Sequence, residues 1–461
     1  MRLTQQHFIL LSLILLLSVS CNDRATNENT SSTDTQTEKA EISPKMQWFQ
    51  DAKLGIFIHW GIYAVNGTAE SWAFFRGEVN YDEYMSQANG FTAGKYNPDE
   101  WAKLFKEAGA KYAVLTSKHH DGVALWDTKL SDLNVVDKTP AARDLLTPYT
   151  NALRKEGLKV GLYFSHLDWS HPDYASVVLP GLEKVKERNP YSYPPMGQED
   201  PEAWERFLKF HRAQITEIMD LFNPDLYWFD GDWERSAEQW RMKELREYIL
   251  GEHPDAILNS RMAGYGDYAT PEQGVPINPV DGPWELCMTL NDNWGFRFID
   301  TNFKSSRQII QTFAECIGTG GNLLLDIGPR EDGTIPEEEV KVLKDLGAWI
   351  KKHEESVYQT VRGLPFGHFY GPTTLNKTND IIYLYLLNTP KEYVTLKGIR
   401  NNIKKIRVVG SDQILSSKKF GGAEWQNIPG ILYIDVPENV IDNYITVIAV
   451  ELEGKLDLYH N

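Results

Sequence analysis

Cysteine is scarce in this chain, and positive charge is in deficit. Three cysteines occur in 461 residues, so no framework of disulfides can hold the fold together. The formal net charge is −17, from 47 lysines and arginines against 64 aspartates and glutamates. The chain therefore has no basic stripe to neutralise phosphates, and its composition argues against nucleic-acid binding.

Several catalytic and cofactor signatures are also missing. No Gly-x-Ser-x-Gly elbow presents a serine nucleophile, and no glycine-rich nucleotide loop stands between a predicted strand and a helix. His119 and His120 are neighbours whose side chains diverge on a strand, and no nearby cysteine or carboxylate completes a familiar metal site. We therefore predict no metal at this pair, and imidazoles that hydrogen-bond sugar hydroxyls fit it better.

The N-terminus carries an apolar run, Phe8 to Val19, that is short for a membrane-spanning helix. It predicts a secretory signal over residues 1–21, and Cys21 stands where a bacterial lipoprotein signal has its lipidated cysteine. Ser18 occupies the position that usually holds leucine, so an ordinary secretory signal is the alternative. The polar residues 22–45 predict a disordered tether. We expect export to the periplasm or the outer membrane, with membrane contact only through the lipid anchor.

Residues 46–358 contain apolar strand-like runs that alternate with amphipathic helical stretches, and this predicts a parallel sheet. The number of units favours a (β/α)8-like (TIM) barrel over an open sheet. Predicted helices include one that starts at Pro140 behind a Thr139 cap, breaks or restarts at Pro148 and ends at Glu156. Another is predicted over residues 234–250.

The character of the chain changes after Val361, where short β-rich runs are separated by turns. They predict a C-terminal all-β sandwich over residues 359–461. This module has no charged cluster suited to catalysis. Packing against the barrel is its simpler role, and carbohydrate binding is the alternative.

The run from Leu226 to Asp230 ends in a carboxylate, and Gly231 and Asp232 follow. Active sites of (β/α)8 barrels lie at the C-terminal ends of the strands, so Asp230 is either a catalytic group or a capped loop residue. Gly231 permits a sharp turn that would separate the two carboxylates. A glycosidase pair usually comes from different strands or loops, about 5–5.5 Å apart when configuration is retained.

Four ordered motifs, spread over residues 46–355, extend this interpretation. They are Trp48-Phe49 to Trp60-Gly61, Lys118-His119-His120-Asp121-Gly122, Trp228-Phe229-Asp230-Gly231, and Gly320-Gly321-Asn322-Leu323-Leu324-Leu325 with Gly328-Pro329. Together they resemble the α-L-fucosidase family, glycoside hydrolase family 29. The resemblance implies a (β/α)8-like barrel with a β-sandwich, and retaining exo-hydrolysis of terminal α-L-fucose through a covalent glycosyl-enzyme. It also implies fucosylated oligosaccharides or glycoconjugates as partners and no cofactor. The alternative is a non-catalytic protein that binds fucosylated glycans on the same fold.

The resemblance also assigns site residues, with Asp230 similar to the family nucleophile. Trp72 and Trp294 resemble the apolar wall that receives the C5 methyl group of fucose. The acid/base is similar to Glu272, and Glu285 is the alternative. Other residues that resemble fucose contacts are His59, Glu70, His119, His120, Tyr163, Trp228 and Arg261.

Two further features bear on specificity. Asp326 stands where the family often has asparagine, a departure that alters local charge. The proline-rich residues 171–200 predict a long loop above the barrel mouth that shapes substrate preference. Oligomeric state does not follow from the sequence.

Overall fold

A computed structural model describes residues 43–174, 200–278, 280–411 and 413–459. The predicted signal, nearly all of the tether and most of the predicted loop at 171–200 lie outside the described residues. Within the described ranges, no helix has the length and apolar character needed to cross a membrane.

Seven parallel strands form the larger sheet, in the spatial order β5-β4-β3-β2-β1-β7-β6. Every residue of β1, β2, β4 and β7 is buried, as expected for strands covered on both faces. Their bounds are β1 Leu54–Ile58, β2 Tyr112–Lys118, β3 Lys159–Ser165, β4 Leu226–Asp230, β5 Ile257–Leu258, β6 Glu285–Thr289 and β7 Asn322–Ile327.

Residues 268–272, which we call the closing segment, lie between the two edge strands β5 and β6. Tyr268 forms a parallel bridge with Asn259 just beyond β5. Ala269 forms one with Trp284 just before β6, and Glu272 forms one with Cys287 in β6. The segment thus takes the place of an eighth strand. The predicted (β/α)8-like barrel is confirmed, and within the described ranges it has seven regular strands rather than eight.

Twelve α-helices connect and cover the strands of the described residues. They are α1 Gln47–Ala52, α2 Trp72–Phe75, α3 Tyr81–Ser86, α4 Pro98–Glu107, α5 Val135–Lys138, α6 Leu146–Lys155, α7 Pro201–Phe222, α8 Ala237–Trp240, α9 Met242–Glu252, α10 Ser306–Gly318, α11 Glu337–Lys352 and α12 Glu354–Val357.

Two helix predictions were wrong at their boundaries. No helix begins at Pro140; the helix begins at Leu146, near the restart predicted at Pro148, and the Leu146 N–H donates to the Asp144 carboxylate at 2.8 Å. Thr139 instead ends α5, and its hydroxyl donates to the Val135 carbonyl at 2.6 Å. The helix expected over 234–250 is interrupted at Arg241, which has a φ of 51° and separates α8 from α9.

The C-terminal residues form two antiparallel sheets, as predicted. The strand orders are β12-β15-β10-β9-β8 and β11-β14-β13. Trp349 of α11 donates its indole N–H to the Ile445 carbonyl at 2.9 Å, which ties the barrel side to this module. The boundary between residues 358 and 359 stays a prediction. The strands are β8 Thr360–Arg362, β9 Thr373–Asn376, β10 Ile381–Leu386, β11 Tyr393–Leu396, β12 Ile403–Val408, β13 Ser417–Phe420, β14 Ile431–Asp435 and β15 Thr446–Leu452.

A buried ion pair lies at the end of β2 and gives a stability prediction. The Lys118 ammonium is 3.0 Å from the Asp168 carboxylate, and their side chains are 0% and 4% exposed. Asp168→Ala would leave the ammonium buried without its counter-ion, so we expect a loss of about 3–5 kcal/mol in the free energy of unfolding. Urea unfolding measures the loss. Asp127→Ala, which removes the exposed partner of Lys129, is the control and should leave the midpoint unchanged. Equal losses in both variants would contradict the prediction.

Candidate active site

The residues predicted for the site come together at one edge of the barrel. Strands β1 to β5 lie side by side in the sheet, so their carboxyl ends share one rim. Each of them supplies residues near its C-terminal end. These are His59 after β1, His119 and His120 after β2, Tyr163 in β3, Trp228 and Asp230 in β4, and Arg261 after β5.

Asp230 is the last residue of β4, and its carboxylate is held by two neighbouring strands. One oxygen accepts from the Tyr163 hydroxyl at 2.9 Å, and the other accepts from the Arg261 guanidinium at 2.9 Å. Burial raises the pKa of Asp230 above its ordinary value, and Arg261 and Tyr163 oppose that rise. Arg261 is therefore the cation that favours the ionised carboxylate.

The chain turns sharply after Asp230. Gly231 has a φ of 86°, and a Cβ on it would lie 2.4 Å from the Leu167 side chain. Asp232 consequently has a different partner, since its carboxylate accepts from the Ala263 N–H at 2.7 Å. The two carboxylates of this strand end thus belong to separate hydrogen-bond networks.

Arg261 connects Asp230 to a second carboxylate. Nη1 contacts Asp230, and Nη2 donates to the Glu272 carboxylate at 2.8 Å. The guanidinium also lies 5.1 Å from the centre of the Trp228 ring, a cation–π contact. Burial opposes the charge on Arg261, but its carboxylate neighbours, Asp230 foremost, raise its pKa above the ordinary value.

Glu272 ends the closing segment and is held from the backbone of β6. The Cys287 N–H donates to the Pro271 carbonyl at 3.1 Å, and the Gln273 N–H donates to the Cys287 carbonyl at 2.9 Å. The Gln273 amide oxygen also accepts from the Thr289 hydroxyl at 3.2 Å. Glu272 is therefore placed by strand-like pairing, whereas its side chain remains 42% exposed.

Glu285 lies at the opposite end of the barrel strands. It is the first residue of β6, pairs with Asn322 at the start of β7, and is fully buried. The Tyr112 hydroxyl and the Trp228 indole N–H donate to its carboxylate, the latter at 3.1 Å. Burial raises the pKa of Glu285 to about 7. A buried structural carboxylate fits this environment.

His119 and His120 are buried side by side, with ring centres 4.2 Å apart. Their Nδ1 atoms are bound to hydroxyls, Ser71 at 2.5 Å and Ser165 at 2.6 Å. Burial lowers the pKa of both well below the ordinary value, so each is a neutral imidazole. The His120 Nε2 lies 3.7 Å from Asp230. Among the described residues, no group of three or more histidine, cysteine or acidic side chains is arranged to hold a metal ion.

Asp326 adjoins the third histidine of the rim. Its carboxylate lies 2.7 Å from the His59 Nδ1, and both side chains are buried. Burial, Glu339 and Glu70 raise the pKa of Asp326 well above its ordinary value. The residue that departs from the family pattern is therefore in direct contact with a predicted fucose contact.

The two predicted tryptophans of the methyl wall lie beside different histidines. The Trp294 ring is 5.0 Å from His59 and packs with the apolar cluster that contains Phe57, Tyr163 and Trp228. Glu70 holds this stretch by accepting from the Gly295 N–H at 2.5 Å. Trp72 instead lies perpendicular to His120 at 5.6 Å and nearly parallel to Trp233 at 6.3 Å.

The comparisons with known proteins agree with this geometry. The family model "Alpha-L-fucosidase" matches residues 19–355. The chain belongs to the α-L-fucosidase family. It is therefore a glycoside hydrolase, of glycoside hydrolase family 29.

Alignments with individual relatives cover most of this family member and most of each relative. Tissue alpha-L-fucosidase of Mus musculus is 30% identical over 439 residues, 87% of this chain and 90% of that one. The structure of alpha-L-fucosidase isoenzyme 1 from Paenibacillus thiaminolyticus is 31% identical with a TM-score of 0.79, and the match covers 89% of this chain and 99% of that one. A Bacteroides thetaiotaomicron α-L-fucosidase, solved as a trapped covalent intermediate, is 27% identical with a TM-score of 0.78, covering 90% and 98%.

The sequence analysis did not identify three residues that hold the site of this α-L-fucosidase family member. Asn259 is fully buried, and its amide both accepts from and donates to the backbone of Phe229, at 2.9 Å each, next to Asp230. Ser71 and Ser165 orient the paired histidines. The sequence does indicate Asn259, because it begins the polar end of the apolar run that forms β5. No sequence pattern indicates the two serines, since their histidine partners are distant in sequence.

Proposed function

We propose that the protein is a retaining exo-α-L-fucosidase in which Asp230 is the nucleophile and Glu272 is the acid/base. The observation that carries the proposal is the position of Arg261, whose two nitrogens contact Asp230 and Glu272 at 2.9 and 2.8 Å. Two carboxylates from different elements thereby lie at one rim, and a glycosidase needs such a pair. The trapped covalent intermediate of the Bacteroides relative supports the retaining mechanism.

The two steps follow from these positions. The Asp230 carboxylate attacks the anomeric carbon while Glu272 gives its proton to the leaving oxygen, so one C–O bond forms as another breaks. Glu272 then takes a proton from water, whose oxygen attacks the anomeric carbon and releases Asp230. Two inversions leave the α configuration in the product.

Substrate recognition is assigned to the side chains around Asp230. The Nδ1 atoms of His59, His119 and His120 are bound to protein groups. Each neutral ring therefore offers only its Nε2 to a sugar hydroxyl, as one donor or one acceptor. Glu70 offers acceptor oxygens. The apolar neighbourhood of Trp294 suits the C5 methyl group, whereas Trp72 lies on the His120 side. We infer terminal fucose on oligosaccharides or glycoconjugates as the substrate.

The stereochemical course tests the proposal. Proton NMR during hydrolysis of an aryl α-L-fucoside should show α-L-fucose as the first product, with the β anomer appearing later by mutarotation. A β-L-fucose first product would show inversion and exclude Asp230 as a covalent nucleophile. Absence of turnover on aryl fucosides and on a panel of fucosylated oligosaccharides would favour the non-catalytic glycan-binding alternative.

Export and lipid attachment are further proposals, supported by the N-terminal sequence. Fractionation of cells that express the full chain tests them, because Cys21→Ala should move the protein from the membrane fraction to the soluble fraction. Equal fractionation of both forms would exclude the lipid anchor.

A further inference from the structure

Behind the nucleophile strand, two buried histidines form a chain of hydrogen bonds that the proposed chemical steps do not use. His166 follows β3 and His211 lies on α7, and both are 0% exposed. The His166 Nδ1 lies 3.1 Å from the His211 Nε2. The His211 Nδ1 lies 2.7 Å from the Arg212 guanidinium, and the His166 Nε2 lies 3.1 Å from the Arg261 carbonyl.

Only one direction of hydrogen bonding satisfies this chain. A guanidinium can only donate, so the His211 Nδ1 accepts and its Nε2 carries the hydrogen. The His166 Nδ1 therefore accepts, and its Nε2 donates to the Arg261 carbonyl. Burial lowers the pKa of His166 to about 3 and that of His211 well below its ordinary value, so both imidazoles are neutral. Arg212 thus fixes the tautomer of both rings.

The end of this hydrogen-bond chain reaches the backbone of Asp230 and of Arg261. The His166 backbone N–H donates to the Asp230 carbonyl at 2.7 Å, and its ring donates to the carbonyl of Arg261. His166 therefore ties the backbone of the nucleophile to the backbone of the arginine beside it. A shift of Arg261 would alter its contacts with both Asp230 and Glu272.

We propose that His166, His211 and Arg212 form a positioning relay that holds Arg261 against the Asp230 carboxylate. The inference rests on the proposed function, in which Asp230 must be ionised to attack. The groups that face the Asp230 side chain are Arg261, Tyr163 and His120, with Asp232 nearby. Arg261 is the only fixed positive charge among these four, so its displacement raises the pKa of Asp230.

The test compares His211→Leu with His211→Gln. Leucine removes both hydrogen-bonding atoms, whereas the glutamine amide can still donate to His166. For His211→Leu we expect kcat/KM on an aryl α-L-fucoside to fall about tenfold. The acidic limb of the pH profile of kcat/KM should move up by about one pH unit, because that limb reports ionisation of Asp230 in the free enzyme. His211→Gln should keep the wild-type limb, and Arg261→Gln should show the largest upward shift.

Controls separate the relay from a general loss of packing. Tyr248→Phe removes the 2.9 Å hydrogen bond between Tyr248 and Thr216, which lies on α7 as His211 does. This variant should change neither kcat/KM nor the position of the acidic limb. If His211→Leu does not fold, Arg212→Met carries the test, with a shift in the same direction. The relay would be overturned if the acidic limb did not move in a folded His211→Leu or Arg212→Met protein. It would also be overturned if His211→Gln shifted the limb as much as His211→Leu does. Undiminished turnover by Asp230→Asn would instead overturn the proposed function.

Discussion

Replacing Asp230 with alanine or asparagine is expected to lower kcat on an aryl α-L-fucoside by about 10⁴-fold or more, as for other catalytic nucleophiles. No other side chain of the described rim combines a carboxylate with the contacts of Asp230 to Tyr163 and Arg261. Without it, the glycosyl-enzyme cannot form. Release of the chromophore measures the loss, and thermal unfolding checks that the variant is folded.

A small external anion extends this test. Azide should enter the space left in Asp230→Gly and attack from the face that the carboxylate occupied, so that β-L-fucosyl azide forms. Asp232→Asn is the matched control from the same strand end, because its contact is the Ala263 N–H, and it should lose less than about tenfold in kcat. Full turnover by a folded Asp230→Ala protein would refute the assignment.

Replacing Glu272 with alanine is expected to give a loss that depends on the leaving group. Proton transfer by a placed side chain contributes about 10²–10⁴-fold, so kcat/KM on unactivated fucosyl oligosaccharides should fall by that amount. An activated aryl fucoside needs little protonation, and its first step should be nearly unaffected. Azide needs no general base, so it should restore turnover and give α-L-fucosyl azide.

Glu285→Ala is the matched comparison for this experiment. Glu285 is bonded to Tyr112 and Trp228 at the far end of the strands, so its replacement should lower stability and show no azide rescue. Rescue of the Glu285 variant alone would reverse the assignment of the acid/base.

The strand ends could be predicted because buried parallel strands appear as nearly continuous apolar runs. Asp230, His59 and the His119–His120 pair each follow such a run, and the barrel geometry then brings them to one rim. The C-terminal sheets could be predicted equally well from the sequence, since strands β10, β12, β14 and β15 are short β-rich runs separated by turns.

Other features depend on contacts between residues that are far apart in sequence. The Arg261 bridge required a fold in which Glu272 meets the end of β5, and no local pattern encodes that meeting. Thr139 has the chemistry of a helix cap, but its hydroxyl bonds backwards to α5. Arg241 has no intrinsic preference for a positive φ, so the break between α8 and α9 reflects packing around it.

The closing segment has a consequence for how such enzymes can diverge. Asp230, the proposed nucleophile, is fixed by the register of β4, which pairs along five residues with β3. Its place in the chain cannot shift without moving a whole strand. Glu272 belongs to a segment joined to its neighbours by isolated bridges. Insertions or deletions between β5 and β6 can be absorbed there while the seven-stranded ladder stays intact. Under the proposed assignment, the barrel can therefore keep its attacking carboxylate and still recruit its proton donor from a new position.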